Sequence, residues 1–189
     1  MKNNKFFLLL ALHFAFSCLN AAAHPAESIC PLRDTALSQI PTAEQLLQDI
    51  LSVTGLQSNF ELKQANVRNI EASISHSKRF ILYNPDYILH INNLTRNKWA
   101  VLVLLSHEVG HHLNGHTINK KGSTPHLELE ADEFAGFVLY QLGASLNQAQ
   151  EVMYHIASIN TSDSHPARSA RLLSIETGWN RASAAKNNH

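Results

Sequence analysis

The sequence predicts an α+β domain, mostly helical, with a small antiparallel sheet placed just before one buried helix. Three observations predict it. Apolar residues recur at helical spacing in several segments that begin at capping residues and end at glycine. Two short extended runs between Val67 and Tyr83 flank a polar turn, the pattern of a hairpin. The run Trp99 to Leu105 is apolar on every side and continues into His107-Glu108-Val109-Gly110-His111, which marks a helix enclosed by the core.

The chain opens on a segment that reads as an export signal. Lys2 and Lys5 supply positive charge, Phe6 to Phe16 an apolar core, and Ala21-Ala22-Ala23 a small-residue cleavage site. Residues 1–23 are therefore expected to be removed, leaving a chain bound for the periplasm or the exterior. Lipidation at Cys18 is the alternative, but Ala15-Phe16-Ser17 lacks the usual Leu before the acylated residue. Residues 24–41 form an N-terminal extension. Cys30 is the only thiol left after cleavage, so no internal disulfide staples the fold. The remaining length suits one domain. The 15 basic and 15 acidic residues balance, which argues against nucleic acid or an anionic membrane surface as the main partner.

The folded domain is expected over 42–180. Thr42 with Gln45 has the form of a capping box, and Leu46, Leu47, Ile50 and Leu51 give the following helix one apolar face up to Gly55. Asn59 to Lys63 is a weak strand. Ser75-His76-Ser77-Lys78 is the turn of the hairpin, and Asn84-Pro85-Asp86 closes its second strand. Tyr87 to Ile91 fits a strand or a short helix. Lys98 to Leu113 is the buried helix, capped by Asn97 or Thr95 and stopped at Asn114-Gly115. Its apolar run is too short to cross a bilayer. Lys120 to Ser123 is a loop. Thr124-Pro125 starts a helix running to Leu142 and ended by Gly143. A further helix covers Leu146 to Ala157. Asn160 to Ser164 is a polar loop that delivers His165, and Pro166 to Thr177 is the last helix, stopped at Gly178. Residues 181–189 are expected to be a disordered tail.

The chemistry concentrates on the buried helix. Residues four apart share a helix face, so His107 and His111 can aim two imidazoles at one metal ion, with the Glu108 carboxylate in reach of a water there. With 12 histidines in 189 residues, roughly 0.04 accidental copies of His-Glu-x-x-His are expected, so the surroundings must decide. A catalytic zinc usually takes three protein ligands. A third histidine in the metzincin position is missing: Asn114 and Thr117 stand where Gly and His are needed, and Gly115 and His116 are each one residue out of place. The other route is a carboxylate from the next helix. Glu128 is preferred to Glu133, because Glu128 has Asp132 one turn later on its face. Asp132 can bond the far nitrogen of a ligand histidine and fix its tautomer. His112 and His116 read as surface or second-layer histidines, His76, His90, His126 and His155 as background, and Glu130 and Glu133 as solvated helix charges.

His107-Glu108-x-x-His111 followed by Glu128-x-x-x-Asp132 resembles a gluzincin metallopeptidase. The fuller wording, His-Glu-Val-Gly-His-His-x-Asn-Gly-His, then Glu-x-Glu-Ala-Asp-x-Phe-Ala, then Ser164-His165-Pro166-x-x-x-x-Arg171, resembles the HtpX and CAAX prenyl endopeptidase family, in particular its small periplasmic members. The resemblance covers about residues 80 to 179. It implies a zincin-like fold, one zinc ion held by His107, His111 and Glu128, Glu108 as base, Asp132 behind a ligand, and His165 or Arg171 facing the site. It implies protein or peptide substrates, here of the cell envelope. The integral-membrane members carry several spanning helices that this chain lacks after its N-terminus, so prenylated substrates are not implied. A zinc-binding homologue without turnover, acting as a chaperone-like or interaction protein, is the alternative.

Overall fold

The computed structural model describes residues 41–118 and 123–187. The expected signal segment, nearly all of the extension, Cys18 and Cys30 lie outside these residues. The described chain is α+β, with six α-helices and a three-stranded sheet: α1 (Ala43–Thr54), β1 (Glu61–Gln64), β2 (Ile70–Ser75), β3 (Lys78–Tyr83), α2 (Pro85–Thr95), α3 (Trp99–Leu113), a 3-10 turn (His116–Ile118), α4 (Pro125–Gln141), α5 (Leu146–Ile156) and α6 (Arg168–Asn187). Among the described residues no helix is long and apolar enough to cross a membrane.

Local signals set most helix ends. At α1, Thr42 Oγ1 accepts from the Gln45 backbone N–H and Gln45 Oε1 accepts from the Thr42 N–H, the reciprocal box that satisfies two orphan donors. Gly55 leaves the helix at φ 67°, a left-handed conformation that glycine adopts freely. Ser145 and Gln148 repeat the box at α5. Asn84 caps α2 with Pro85 at its first position, so the segment around Tyr87 is a helix. Asn97 Oδ1 accepts from the Trp99 N–H at 2.9 Å and starts α3.

The sheet is mixed, not antiparallel as expected. β2 and β3 are the hairpin, closed by His76 and Ser77 at φ 49° and 63°, a two-residue turn with both central residues left-handed. β1 pairs with the other side of β3 and runs parallel to it, giving the order β1-β3-β2. Two reversals of direction, one between β1 and β2 and one at the hairpin, leave β3 running the same way as β1. β2 is therefore an edge strand.

α3 is the centre of the core. Ala100, Val101, Leu102, Val103, Leu105 and Val109 are all buried, and the helix touches α1, α2, α4, α5, β2 and β3. Being enclosed on all sides, it needs no polar face except where it carries the histidines. Of the two readings for His112, surface or second-layer, the structure excludes the surface one. His112 is buried, its Nε2 meets the Phe80 carbonyl at 2.9 Å and its ring stacks on Phe60, so it fastens α3 to the sheet.

The last helix does not stop at Gly178, and no disordered tail begins at 181: α6 runs on to Asn187. The glycine is there for contact. A Cβ at Gly178 would collide with the backbone of Glu133 on α4, and a Cβ at Gly136 would collide with the backbone of Ile175 on α6. The two helices lie backbone against backbone, which brings Arg171 of α6 beside the carboxylates of α4.

Candidate metal centre

α3 presents His107 and His111 on one face, one turn apart, toward the start of α4. Close approach of the two helices makes this possible. Gly110, between the histidines, would place a Cβ 3.1 Å from the Cα of Ala131, tighter than ordinary side chains tolerate. Glu128 enters from the first turn of α4. The His107 and His111 Nε2 atoms stand 3.1 Å apart. Glu128 Oε2 lies 3.3 Å from the first and Oε1 3.5 Å from the second. Ligand atoms around a tetrahedral ion with bonds of about 2.0–2.1 Å are about 3.3–3.4 Å from each other. The three side chains thus form one face of such a tetrahedron, and this buried group can hold a metal ion.

Each donor is held from behind. His107 Nδ1 meets Asp132 Oδ1 at 2.8 Å. Asp132 is fully buried, and Arg171 clamps it with Nε to Oδ2 at 2.6 Å and Nη2 to Oδ1 at 2.7 Å. The Ser123 hydroxyl donates to Glu128 Oε1. His111 Nδ1 meets His116 Nδ1 at 2.9 Å, and His116 Nε2 meets Glu130 Oε2 at 2.7 Å.

The electrostatics favour a cation at the three donors. Burial alone would lower the proton affinity of His107, but the Asp132 carboxylate outweighs it, aided by Glu128, and pushes the imidazole up to about 10. Burial works against ionised Glu128, yet its contacts with His107 and His111 hold it well below the usual carboxylate range. Burial likewise opposes ionised Asp132, and His107 and Arg171 hold it down. Carboxylates that hold a proton on an imidazole also attract a divalent ion to its place.

Glu108 opens onto a cavity of about 500 Å³ that the three donors also line. Burial pushes its carboxyl up to about 7, against the pull of His107 and of the Ala72 N–H, which donates to Glu108 Oε2 at 2.6 Å. β2 forms one wall of the cavity through Asn69 to Ile74, and Tyr87, Leu104 and Ile156 contribute apolar or amphipathic surface. His165 is exposed at the rim, with Ser164 Oγ 2.7 Å from its Nδ1. Arg171 reaches the same cavity, but its Nε and Nη2 are taken by Asp132, so it acts as an anchor for that carboxylate.

The structure brings His107, Glu108, His111, Glu128, His165 and Arg171 to one cleft, with Asp132 buried behind His107. Glu133 is elsewhere, paired with Arg181 at 2.6 Å. Two groups not counted among the expected site residues belong to the site. His116 is enclosed against His111, and Glu130, expected to be only solvated, bonds to it. Their separation by a loop and a helix start left no periodic signal. Tyr87 was also missed, because its segment fitted two conformations. No protein-family model, curated protein or solved structure matches the chain.

Proposed function

We propose that the chain is a zinc-dependent endopeptidase of the HtpX and CAAX prenyl endopeptidase type, zincin-like in fold, exported and acting on proteins or peptides of the cell envelope. The observation that carries this reading is the Glu108 carboxylate at the mouth of a three-donor centre, on a cleft walled by an edge strand. Two imidazoles and one carboxylate are the donor set of zinc hydrolases with an open position. When bound, zinc supplies Lewis acidity to a scissile carbonyl and to the attacking water.

The chain's own groups do the rest. Glu108 takes a proton from the attacking water and gives it to the leaving amine; burial raises its proton affinity toward neutrality, where both transfers are possible. His165, with Ser164 bonded at Nδ1, has Nε2 left to donate to the oxyanion of the tetrahedral intermediate. Asp132 and Arg171 keep His107 in one tautomer. The N–H of Ala72 goes to Glu108, so alternate residues of β2, Ile70, Ala72 and Ile74, turn their backbone groups away from β3. An extended substrate can add to that edge by backbone hydrogen bonds, which tolerate many sequences.

The test is cleavage of a fluorogenic peptide library by the zinc-loaded protein. Cleavage that a chelator abolishes and stoichiometric zinc restores is the expected result. A protein that holds zinc and cleaves nothing would be the non-catalytic, chaperone-like homologue instead.

A further inference from the structure

We propose that His116 and Glu130 form a positioning relay that fixes the His111 imidazole, as Asp132 and Arg171 fix that of His107. The inference rests on the metal-centre reading above and extends it to residues outside the ligand set.

The local fold delivers His116 to its task. Gly115 takes φ 72°, where other residues are strained, and turns the chain back at the end of α3. The following 3-10 turn places the His116 ring 5.1 Å from that of His111, steeply inclined to it. The His116 side chain is only 6% exposed, although its residue follows a helix end where solvent contact is the norm. Both ring nitrogens have partners, His111 on one side and Glu130 of α4 on the other.

With a metal ion at the three donors, hydrogen-bond bookkeeping orders the protons in the row. His111 turns Nε2 toward the other two donors. A ligand nitrogen must offer its lone pair, so His111 carries its proton on Nδ1. That proton is donated to His116 Nδ1, which must be the acceptor. Neutral His116 therefore carries its proton on Nε2, and Glu130 Oε2 accepts it. The opposite assignment, with a proton on His111 Nε2, requires His116 Nδ1 to donate. It leaves a bare nitrogen of neutral His116 facing the carboxylate. The row thus accommodates a cation at the three donors. Glu130 is then the distant carboxylate of a carboxylate–histidine–histidine row, with one imidazole inserted where His107 has direct contact.

His126 supplies an internal control. Its Nε2 lies 3.2 Å from the other Glu130 oxygen, and its side chain is 79% exposed. It touches the outer oxygen of Glu130, on the solvent side, and is paired with neither histidine of the row.

The experiment is zinc affinity by competition with a chromophoric chelator at pH 7.5, beside the d–d spectrum of the cobalt(II) form, which reports ligand geometry. Loss of an outer partner weakens metal binding about 10–100-fold. His116→Phe and Glu130→Ala are expected in that range, with altered cobalt spectra. The double variant is expected to match His116→Phe alone, because the two act as one row. His126→Ala is expected to equal wild type. If His116→Phe does not fold, Glu130→Ala carries the test from the exposed end. Wild-type affinity and spectrum in the folded relay variants would overturn the relay alone. A wild-type protein that binds no zinc would overturn the metal centre and the relay with it.

Discussion

Replacing Glu108 with Gln is expected to lower peptide hydrolysis by roughly 10²–10⁴-fold while zinc content stays at the wild-type level. The amide keeps the size of the side chain and can accept from the Ala72 N–H, but it cannot take a proton from water. The same variant has a second readout in the metal-free protein. Burial pushes Glu108 up to about 7 from the ordinary carboxyl value of 4.5. The folded state therefore binds more protons than the unfolded state between these limits, and stability is lost as pH rises through that window. Well above pH 7 the ionised carboxylate costs on the order of 3 kcal/mol, a cost the amide does not carry. Urea unfolding of the metal-free forms should show Glu108→Gln as the more stable protein at pH 8, with the difference closing toward pH 4.5. An active Glu108→Gln enzyme would remove the general base from the account. Equal stabilities at pH 8 would remove the buried carboxylate.

The second large effect is structural. Arg171→Met is expected to cost about 3–5 kcal/mol in urea unfolding, because it removes the two-point guanidinium clamp from the fully buried Asp132 carboxylate and leaves His107 as its one remaining partner. Methionine fills much of the same volume, so the loss is one of charge more than packing. The double variant Arg171→Met/Asp132→Leu should regain most of the stability, since an apolar pair has no charge to compensate. It should still bind zinc more weakly, because His107 Nδ1 would have lost its anchor. A single variant within about 0.5 kcal/mol of wild type would mean that Arg171 is not what holds Asp132 as an ion in the core.

The parts of the centre legible in the sequence are those fixed by helical geometry. His107 and His111 face one way because four residues make about one turn. Glu128 could be preferred to Glu133 because Asp132 repeats its face. Pairing of Asp132 with a ligand histidine followed from the same spacing. Arg171 was indicated only by resemblance to a family segment, since nothing in its own helix reports an acidic partner on α4. His116 and Glu130 were passed over because their contact depends on a left-handed turn at Gly115 and on the packing of α3 against α4.

The fold shows the same division. Caps at Thr42 and Asn97, the Pro125 helix start and the His76-Ser77 turn are local, and the sequence signals them; Pro85 was read only as the end of a strand. The parallel pairing of β1 with β3 is non-local, and alternation in four residues cannot report which strand edge they meet. Gly178 was read as a stop because glycine ends helices and also lets helices touch. Only the Glu133 backbone lying against it distinguishes the two.

Metal content tests the central claim most directly. The purified protein, beside a His107→Ala/His111→Ala control, is assayed for zinc per folded chain by elemental analysis after equilibration with zinc and removal of excess. The account predicts about one zinc per chain, absent from the control. A folded wild-type chain that retains no zinc would contradict it and leave the His107, His111 and Glu128 cluster as a polar network without a metal.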